Sequence, residues 1–137
     1  MSSATPTDVL ARRRHLILNR DADGFADLFA SDAVIEVPFV GPPGAPLRLE
    51  GREAIREYSR RVMASPLRLE DFETAEFYQT QDPEVVIVEM RTKGTVTTTG
   101  RSFTATSIQI LRIRDGHIAH FRDFPDPRGL EDVIPGS

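Results

Sequence analysis

The feature that most constrains the fold is the dipeptide Asp115-Gly116, which joins two runs of apolar residues near the end of the chain. Both central residues of a type I′ turn need a positive φ, so Asp-Gly between such runs predicts a tight β-hairpin. Side chains alternate between two faces along the second arm, which places Ala119, Phe121 and Asp123 on one face and Ile118, His120 and Arg122 on the other. A carboxylate, Asp123, is therefore expected among apolar side chains near the end of a central strand.

The rest of the chain after Leu67 also has the patterns of strands. Turns are predicted at residues 81–84 and at Gly100, and the apolar run from Val85 to Met90 is typical of a strand in the centre of a sheet. Further strands are predicted over 67–77, 92–99 and 103–114. The tail, residues 126–135, is predicted as a turn followed by one helical turn.

Three helices are predicted before Leu67. The first begins at Pro6, with Thr5 as its N-cap, and runs to about Asn19. The second is short and follows a turn in which Asp21 or Asp23 provides the cap. It is expected to pack one face inward through Phe25, Leu28 and Phe29.

The third helix is predicted to start after Gly51 and to end at Ser65-Pro66. Its inward stripe comprises Ile55, Tyr58, Ser59 and Val62. A strand over 33–40 is expected before it, with Pro38 marking an edge or an end. Helices followed by an antiparallel meander indicate an α+β fold, with one sheet, three helices on one face and a cavity between the layers.

Length and composition limit the function classes. The 137 residues suit a single domain over 1–137, with an ordered core from about 5 to about 133. The net charge of −4 and the lack of a basic face argue against a nucleic-acid partner. The chain has no cysteine, which excludes disulfides and thiolate chemistry. No membrane span and no signal peptide are predicted, so a cytoplasmic location is expected.

Three local patterns carry a family resemblance. A short helix with Asp-Gly-Phe and Leu-Phe-Ala runs into a strand that ends Glu-Val-Pro; the other two are Leu-Glu-Gly-Arg-Glu-Ala-Ile-Arg-Glu-Tyr and Arg-Asp-Gly-His-Ile-Ala-His-Phe-Arg-Asp-Phe. Together they resemble the SnoaL-like branch of the nuclear-transport-factor-2-like superfamily, over about residues 5–133. The resemblance implies a cone-shaped, strongly curved and mostly antiparallel sheet wrapped around three helices, with a deep apolar pocket. It also implies a homodimer formed through the outer sheet face.

The resemblance transfers few catalytic residues. The base of ketosteroid isomerase falls on Val37, its protonated Asp on Gln109 and its Tyr near Arg13 or Arg14, so that catalytic set is missing. The last-strand Asp of limonene epoxide hydrolase matches Asp123, but its Arg and its other Asp fall near Met90 and Thr92. The acidic Glu of the phenazine-biosynthesis A/B type also matches Asp123, whereas its His has no identifiable counterpart.

Asp123 is therefore the principal candidate for catalysis. A carboxyl group between apolar walls is desolvated, which raises its pKa and suits it to general acid/base work. A structural role, bonded to a buried Arg or to backbone N–H groups, is the alternative. Glu36 and Arg14 are possible helpers; Arg14 shares a helix face with Leu10 and Ile17, where the alternative is a side chain that reaches solvent at the rim.

A metal site is not expected. His117 and His120 are three apart on a strand and point to opposite faces, so they cannot chelate one ion. His15 is interpreted as an interior His of the first helix rather than a base.

The resulting functional hypothesis is a cofactor-free pocket enzyme that performs proton transfer on an apolar, oxygenated ring compound, by isomerisation, cyclisation or dehydration. The alternatives are a ligand-binding domain without catalysis and a dimerisation module. The residues expected to contact the ligand are Phe25, Phe29, Val37, Phe39, Tyr58, Val62, Gln109 and Phe121. A homodimer is predicted from the apolar strand residues Val86, Val88, Met90, Ile108 and Ile110.

Overall fold

The computed structural model of the protein describes residues 4–128. Three helices precede or interrupt the first strands, and they are α1 (Pro6–Leu18), α2 (Ala22–Asp27) and α3 (Arg52–Met63). The strands are β1 (Phe29–Val37), β2 (Leu47–Glu50), β3 (Leu67–Gln79), β4 (Val85–Val96), β5 (Arg101–Arg114) and β6 (His117–Pro125). The predicted α+β class is confirmed: one curved six-stranded sheet packs against three helices. The predicted tail after Arg128 lies outside the described residues.

The strand order is β2-β1-β6-β5-β4-β3. Strands β3 to β6 form the expected antiparallel meander, whereas β1 pairs with β6 in parallel. This pairing makes β6 an interior strand although it comes last in the chain. Sequence reasoning missed β2, a strand of four residues that pairs with β1 beside the proline- and glycine-rich loop.

The first helix begins as its sequence predicts. The Thr5 side chain accepts from the Asp8 backbone N–H, and the Asp8 carboxylate accepts from the Thr5 N–H, which together form a capping box. Asp21 caps α2 by accepting from the backbone N–H of Gly24. Two boundaries were wrong in the predicted elements. The strand predicted over 33–40 runs from Phe29 to Val37, so Phe29 is not part of the second helix, which ends at Asp27. The strands predicted over 85–90 and 92–99 form the single strand β4.

The hairpin prediction is confirmed, because Asp115 and Gly116 have φ values of 52° and 76°. The face assignment in the arm that follows was wrong at its start. The β5–β6 register shifts at Ala119, where one extra residue forms a β-bulge. Ile118 therefore turns to the inner face and is fully buried, beside Phe121 and Asp123. The predicted alternation holds only from His120 onward.

The inner face of the sheet forms the main core with the helices. Val86, Val88 and Met90 on β4 are buried there, at 0%, 0% and 2% exposure. The expectation that they add to an outer dimer surface was therefore wrong, because every second residue of a strand points to the opposite face. On the outer face, Ile108 is 51% exposed. None of the described helices is long and apolar enough to cross a membrane.

Candidate active site

A cavity of about 300 Å³ lies between the helices and the inner face of the sheet. Its walls are mostly apolar and include Ile17 of α1, Ile35 of β1 and Leu69 of β3. Three of the polar side chains that interrupt this wall come from α1, β5 and β6. Those side chains are Arg13, Gln109 and Asp123.

Arg13 lies on the buried face of α1, three residues after Leu10 and three before Leu16. It is 2% exposed, and its guanidinium carbon lies 5.0 Å from the ring centroid of Phe72 and 5.6 Å from that of Phe121. A guanidinium stacks well on aromatic faces, so the two rings fix its plane. The aromatic residues thus hold a positive charge at the cavity wall.

Gln109 connects this cation to the carboxylate. Arg13 Nη1 donates to Gln109 Oε1 at 2.8 Å, and Gln109 Nε2 donates to Asp123 Oδ1 at 3.4 Å. Gln109 and Asp123 are register partners on β5 and β6, which places both side chains on the inner face. The side-chain amide of Gln109 therefore links Arg13 to Asp123, and the described structure has no direct salt bridge between them.

Burial shifts the pKa values of both charged side chains, Asp123 and Arg13. It raises the pKa of the Asp123 carboxyl, while the hydrogen bond from Gln109 and the charge of Arg13 act in the opposite direction. Burial also lowers the pKa of Arg13 to about 10, partly offset by the charge of Asp123. Arg13 thus stays cationic at neutral pH, and Asp123 takes up a proton more readily than an exposed Asp.

This geometry can support acid/base chemistry on a ligand in the cavity. Asp123 is half-buried and lines the cavity, so a reacting group in the cavity can approach its carboxyl, which also receives hydrogen bonds from Gln109, Ser107 and the Phe124 backbone. A nearby buried cation stabilises negative charge that develops on an oxygen, since the low-dielectric surroundings strengthen the attraction. A base and an electrostatic stabiliser thus face the same space.

Comparison with known proteins identifies the family. The family model described as "SnoaL-like domain" matches residues 11–121, which run from the middle of α1 to Phe121 in β6 and include most of the cavity wall but not Asp123. The chain belongs to the SnoaL-like family. This result confirms the resemblance inferred from the local sequence patterns.

Relatives of this SnoaL-like protein cover nearly all of it. It is 38% identical over 125 residues to the uncharacterised PhzA/B-like protein PA3332 of Pseudomonas aeruginosa, a match spanning 90% of this chain and 86% of the relative. A provisionally assigned isomerase from Bacillus subtilis has a crystal structure with a TM-score of 0.85 and 29% identity, covering 96% and 93% of the two chains. The epoxide hydrolase/cyclase-like enzyme SalBIII, which has a role in pyran ring formation in salinomycin, shares the fold with a TM-score of 0.72 and 20% identity, over 90% and 92%.

Most residues that the sequence assigned to ligand contact line the cavity of the SnoaL-like domain. Those residues are Phe25, Val37, Tyr58, Val62, Gln109 and Phe121, and Asp123 lines it as well. Phe29 does not line it, because it is fully buried in the core and contacts Phe25 ring to ring. Phe39 is 79% exposed beyond the end of β1 and packs edge-on against Phe124 on the outer face.

Glu36 does not face the cavity. It lies on the outer face of β1, where its carboxylate pairs with His120 at 2.5 Å and with Arg48 at 3.1 Å. The hydrogen bond from His120 lowers the pKa of Glu36, contrary to what an acid/base helper in an apolar cavity would need. The alternation of β1, with Val37 inside, puts Glu36 outside.

Arg14 also lies away from the cavity. Its exposed guanidinium pairs with Asp71 at 2.8 Å on the edge strand, whereas the adjacent residue, Arg13, points inward. Sequence reasoning missed Arg13 as a site residue. The available signal was its spacing, since Arg13 lies three residues after Leu10 and four before Ile17, which is as good a helical face as the one assigned to Arg14.

No cluster of ionisable side chains suggests a metal centre. Across residues 4–128, no three His, Asp or Glu side chains converge in a way that could hold a metal ion. Arg20, which also lines the cavity, donates to the carbonyl oxygens of Met63 and Ser65 after α3. Its role is to tie the end of α3 to the turn that follows α1.

Proposed function

We propose that the protein is a cofactor-free pocket enzyme that moves a proton on an apolar, oxygenated ring compound, with Asp123 as the acid/base. Isomerisation, cyclisation and dehydration all belong to this class of reaction. The observation that carries the proposal is the half-buried Asp123 at the wall of an apolar cavity. The side-chain amide of Gln109 links it to the buried cation Arg13.

The balance between burial and hydrogen bonding at Asp123 favours catalysis over a purely structural role. Its carboxyl receives hydrogen bonds from Gln109, at 3.4 Å, from the Ser107 side chain and from the Phe124 backbone, but burial outweighs them and raises its pKa. The raised pKa brings Asp123 closer to the operating pH, where a general acid/base is most effective. The space in front of it is not filled by the protein's own side chains.

The proposed step begins with Asp123 as carboxylate. It takes a proton from a carbon next to a carbonyl group of the ring, and the electron pair of that C–H bond moves to the carbonyl oxygen to form an enolate. Arg13 stabilises the negative oxygen through its charge. Where the ring carries a C=C bond next to the reacting carbon, the enolate is conjugated, and Asp123 returns the proton at the far end of that bond, which completes an isomerisation by moving the double bond.

The family neighbours are compatible with this reaction class. The Bacillus subtilis neighbour is provisionally assigned as an isomerase, and SalBIII is described as epoxide hydrolase/cyclase-like. Fold similarity alone does not transfer an activity, so the proposal rests on the cavity and not on these neighbours.

Proton exchange tests the proposal without knowledge of the product. We expect the protein to catalyse uptake of deuterium from D2O next to the carbonyl of a bicyclic ketone such as 2-tetralone, followed by proton NMR. The Asp123→Asn variant should lower the exchange rate by about 10²–10⁴-fold. Asp71→Asn is the matched control, since Asp71 is a carboxylate paired with Arg14 outside the cavity.

Equal exchange rates for the wild type and Asp123→Asn over a panel of cyclic ketones would contradict the catalytic role. If these ketones nevertheless protect the protein against thermal unfolding, the alternative of a ligand-binding domain without catalysis is favoured.

A further inference from the structure

Arg13 has an unused hydrogen-bonding edge. Its Nη1 donates to Gln109, but within residues 4–128 the only hydrogen bond of Nη2 is a long one, at 3.7 Å, to the sulfur of Met90. Its Nε is buried, and no atom of the described residues accepts from it. The N–H groups of Nε and Nη2 point in the same direction, so one edge of a buried guanidinium has no oxygen acceptor.

Such an edge matches a carboxylate. The two parallel N–H groups of a guanidinium bind the two oxygens of a carboxylate in bidentate fashion, and a buried donor without an acceptor destabilises the empty state. The guanidinium carbon lies 5.0 Å from the ring centroid of Phe72 and 5.6 Å from that of Phe121, so the surroundings of this edge are apolar. The ligand that satisfies Arg13 therefore has an apolar body and a planar anionic head.

The other charged side chains at the cavity determine whether a proton binds together with this anion. The charged or titratable side chains that line it are Arg13 from α1, Arg20 from the following turn, Tyr58 from α3 and Asp123 from β6. Arg20 is engaged by the backbone of Met63 and Ser65. The neighbouring side chains on β3, β4 and β5 are Phe72, Met90, Ser107 and Gln109, which carry no charge.

An anion at Arg13 therefore lies near the carboxylate of Asp123, because both residues bond to the side chain of Gln109. Two negative groups sharing one buried cation are unfavourable, and protonation of one of them restores neutrality. Asp123 is the group whose burial already favours the protonated form.

We propose that the cavity binds an apolar carboxylic acid as its anion, held in bidentate fashion by the Nε and Nη2 edge of Arg13, together with one proton that is taken up by Asp123. This inference rests on the proposed function, because it names the substrate class of the same site. It adds that the substrate carries a carboxylate and that, for such a substrate, the order of the two proton transfers is reversed. Asp123 enters the complex protonated, donates its proton first and then, as the carboxylate, takes a proton from the second position.

Calorimetric titration with a pair of probes of equal shape tests the inference. We use 2-naphthoate and its neutral amide, 2-naphthamide, whose two rings suit a cavity of about 300 Å³. At about pH 6 the wild type should bind naphthoate at least about tenfold more tightly than naphthamide, because a charged, bidentate contact is stronger than a neutral one. Failure of both probes to bind at millimolar concentration, or equal affinity for the two, overturns the proposal.

Proton uptake is measured in the same experiment. Titration in two buffers that work at this pH and differ in ionisation enthalpy, MES and imidazole, should report close to one proton bound per naphthoate. The naphthoate affinity should fall by up to about tenfold per pH unit as the pH rises from about 6 to about 8. Asp123→Asn should abolish both the uptake and the pH dependence while it keeps naphthoate binding. Uptake that persists in this variant overturns the proposal.

The Arg13→Met variant should lose the preference for naphthoate, whereas Arg14→Met, one position away on the exposed face, should retain it. If Arg13→Met does not fold, the two-probe comparison and the Asp123→Asn titration still decide the question. The outcome is separate from the proposed catalysis, because these titrations involve no turnover and the ketone exchange assay involves no carboxylate.

Discussion

Asp123 is predicted to destabilise the folded protein at neutral pH. A carboxyl whose pKa is raised by folding binds its proton more tightly in the folded state, so stability falls as the pH rises from the unfolded-state pKa through the folded-state pKa. Asp123→Asn removes this effect, and we expect its melting temperature to equal or exceed that of the wild type at about pH 7, with a smaller difference at about pH 4. Thermal melts of both proteins across that range check the prediction.

Asp71→Asn provides a control of opposite sign. The hydrogen bond from Arg14 lowers the pKa of Asp71, so its contribution to stability is present at neutral pH and is lost as the pH falls through the folded-state pKa. If Asp123→Asn instead loses about 1–3 kcal/mol of unfolding free energy at neutral pH, the carboxylate has a structural role.

The charge of Arg13 is predicted to act on Asp123 through Gln109. A nearby cation favours the carboxylate, so Arg13→Met should raise the pKa of Asp123 further. Carbon NMR of the labelled Asp123 carboxyl group, titrated in both proteins, measures the change. Arg14→Met should leave that titration curve unchanged, and an unchanged curve in Arg13→Met would show that the two groups are not coupled.

At the scale of the elements, the N-cap of α1 supports the site. Thr5→Ala removes the side-chain acceptor for the Asp8 N–H and should lower the free energy of unfolding by about 1 kcal/mol. Thr7→Ala, an exposed change within the same first turn, should have a smaller effect. Urea unfolding of the two variants, with the wild type as reference, checks this difference. Equal losses would mean that the capping box adds nothing.

The elements also show what the sequence could and could not predict. Capping residues and the Asp115-Gly116 turn act locally, so the helices before Leu67 and the last hairpin followed from the pattern. The face of Ile118 did not, because the bulge at Ala119 depends on how β6 pairs with both β1 and β5. The parallel pairing of β1 with β6 joins segments that are distant in sequence, so local periodicity does not predict it.

The candidate site could also be predicted only in part from the sequence. Gln109 lies on β5 and Asp123 on the part of β6 that follows the bulge, where the alternation holds, and both line the cavity; their chemical roles stay predictions. The choice between Arg13 and Arg14 was not decided by the sequence, because both lie within helical spacing of apolar residues. Packing against Phe72 and Phe121 distinguishes them, and those rings come from distant strands.

At the scale of the whole molecule, we predict a homodimer through the outer face of the sheet. The exposed apolar side chains there include Ile108 and the Phe39–Phe124 pair, which line one groove. A stable dimer should bury at least about 1,000 Å² in total. Ile108→Asp should then yield a monomer in light scattering at micromolar concentration, while Ala54→Asp, an exposed change on α3, should leave the dimer intact. A wild-type protein that is already monomeric contradicts the prediction.

The parallel contact between β1 and β6 has a consequence for synthesis on the ribosome. Ile35 pairs with Phe121, and Arg13 meets Gln109 across 96 positions of sequence. The N-terminal helices and β1 emerge first but lack their partner until the end of the chain has left the exit tunnel. Contacts so distant in sequence form slowly, since a long loop must close before they contribute. A nascent or truncated chain that lacks β6 would thus expose an unpaired β1 edge, which makes it a substrate for chaperones.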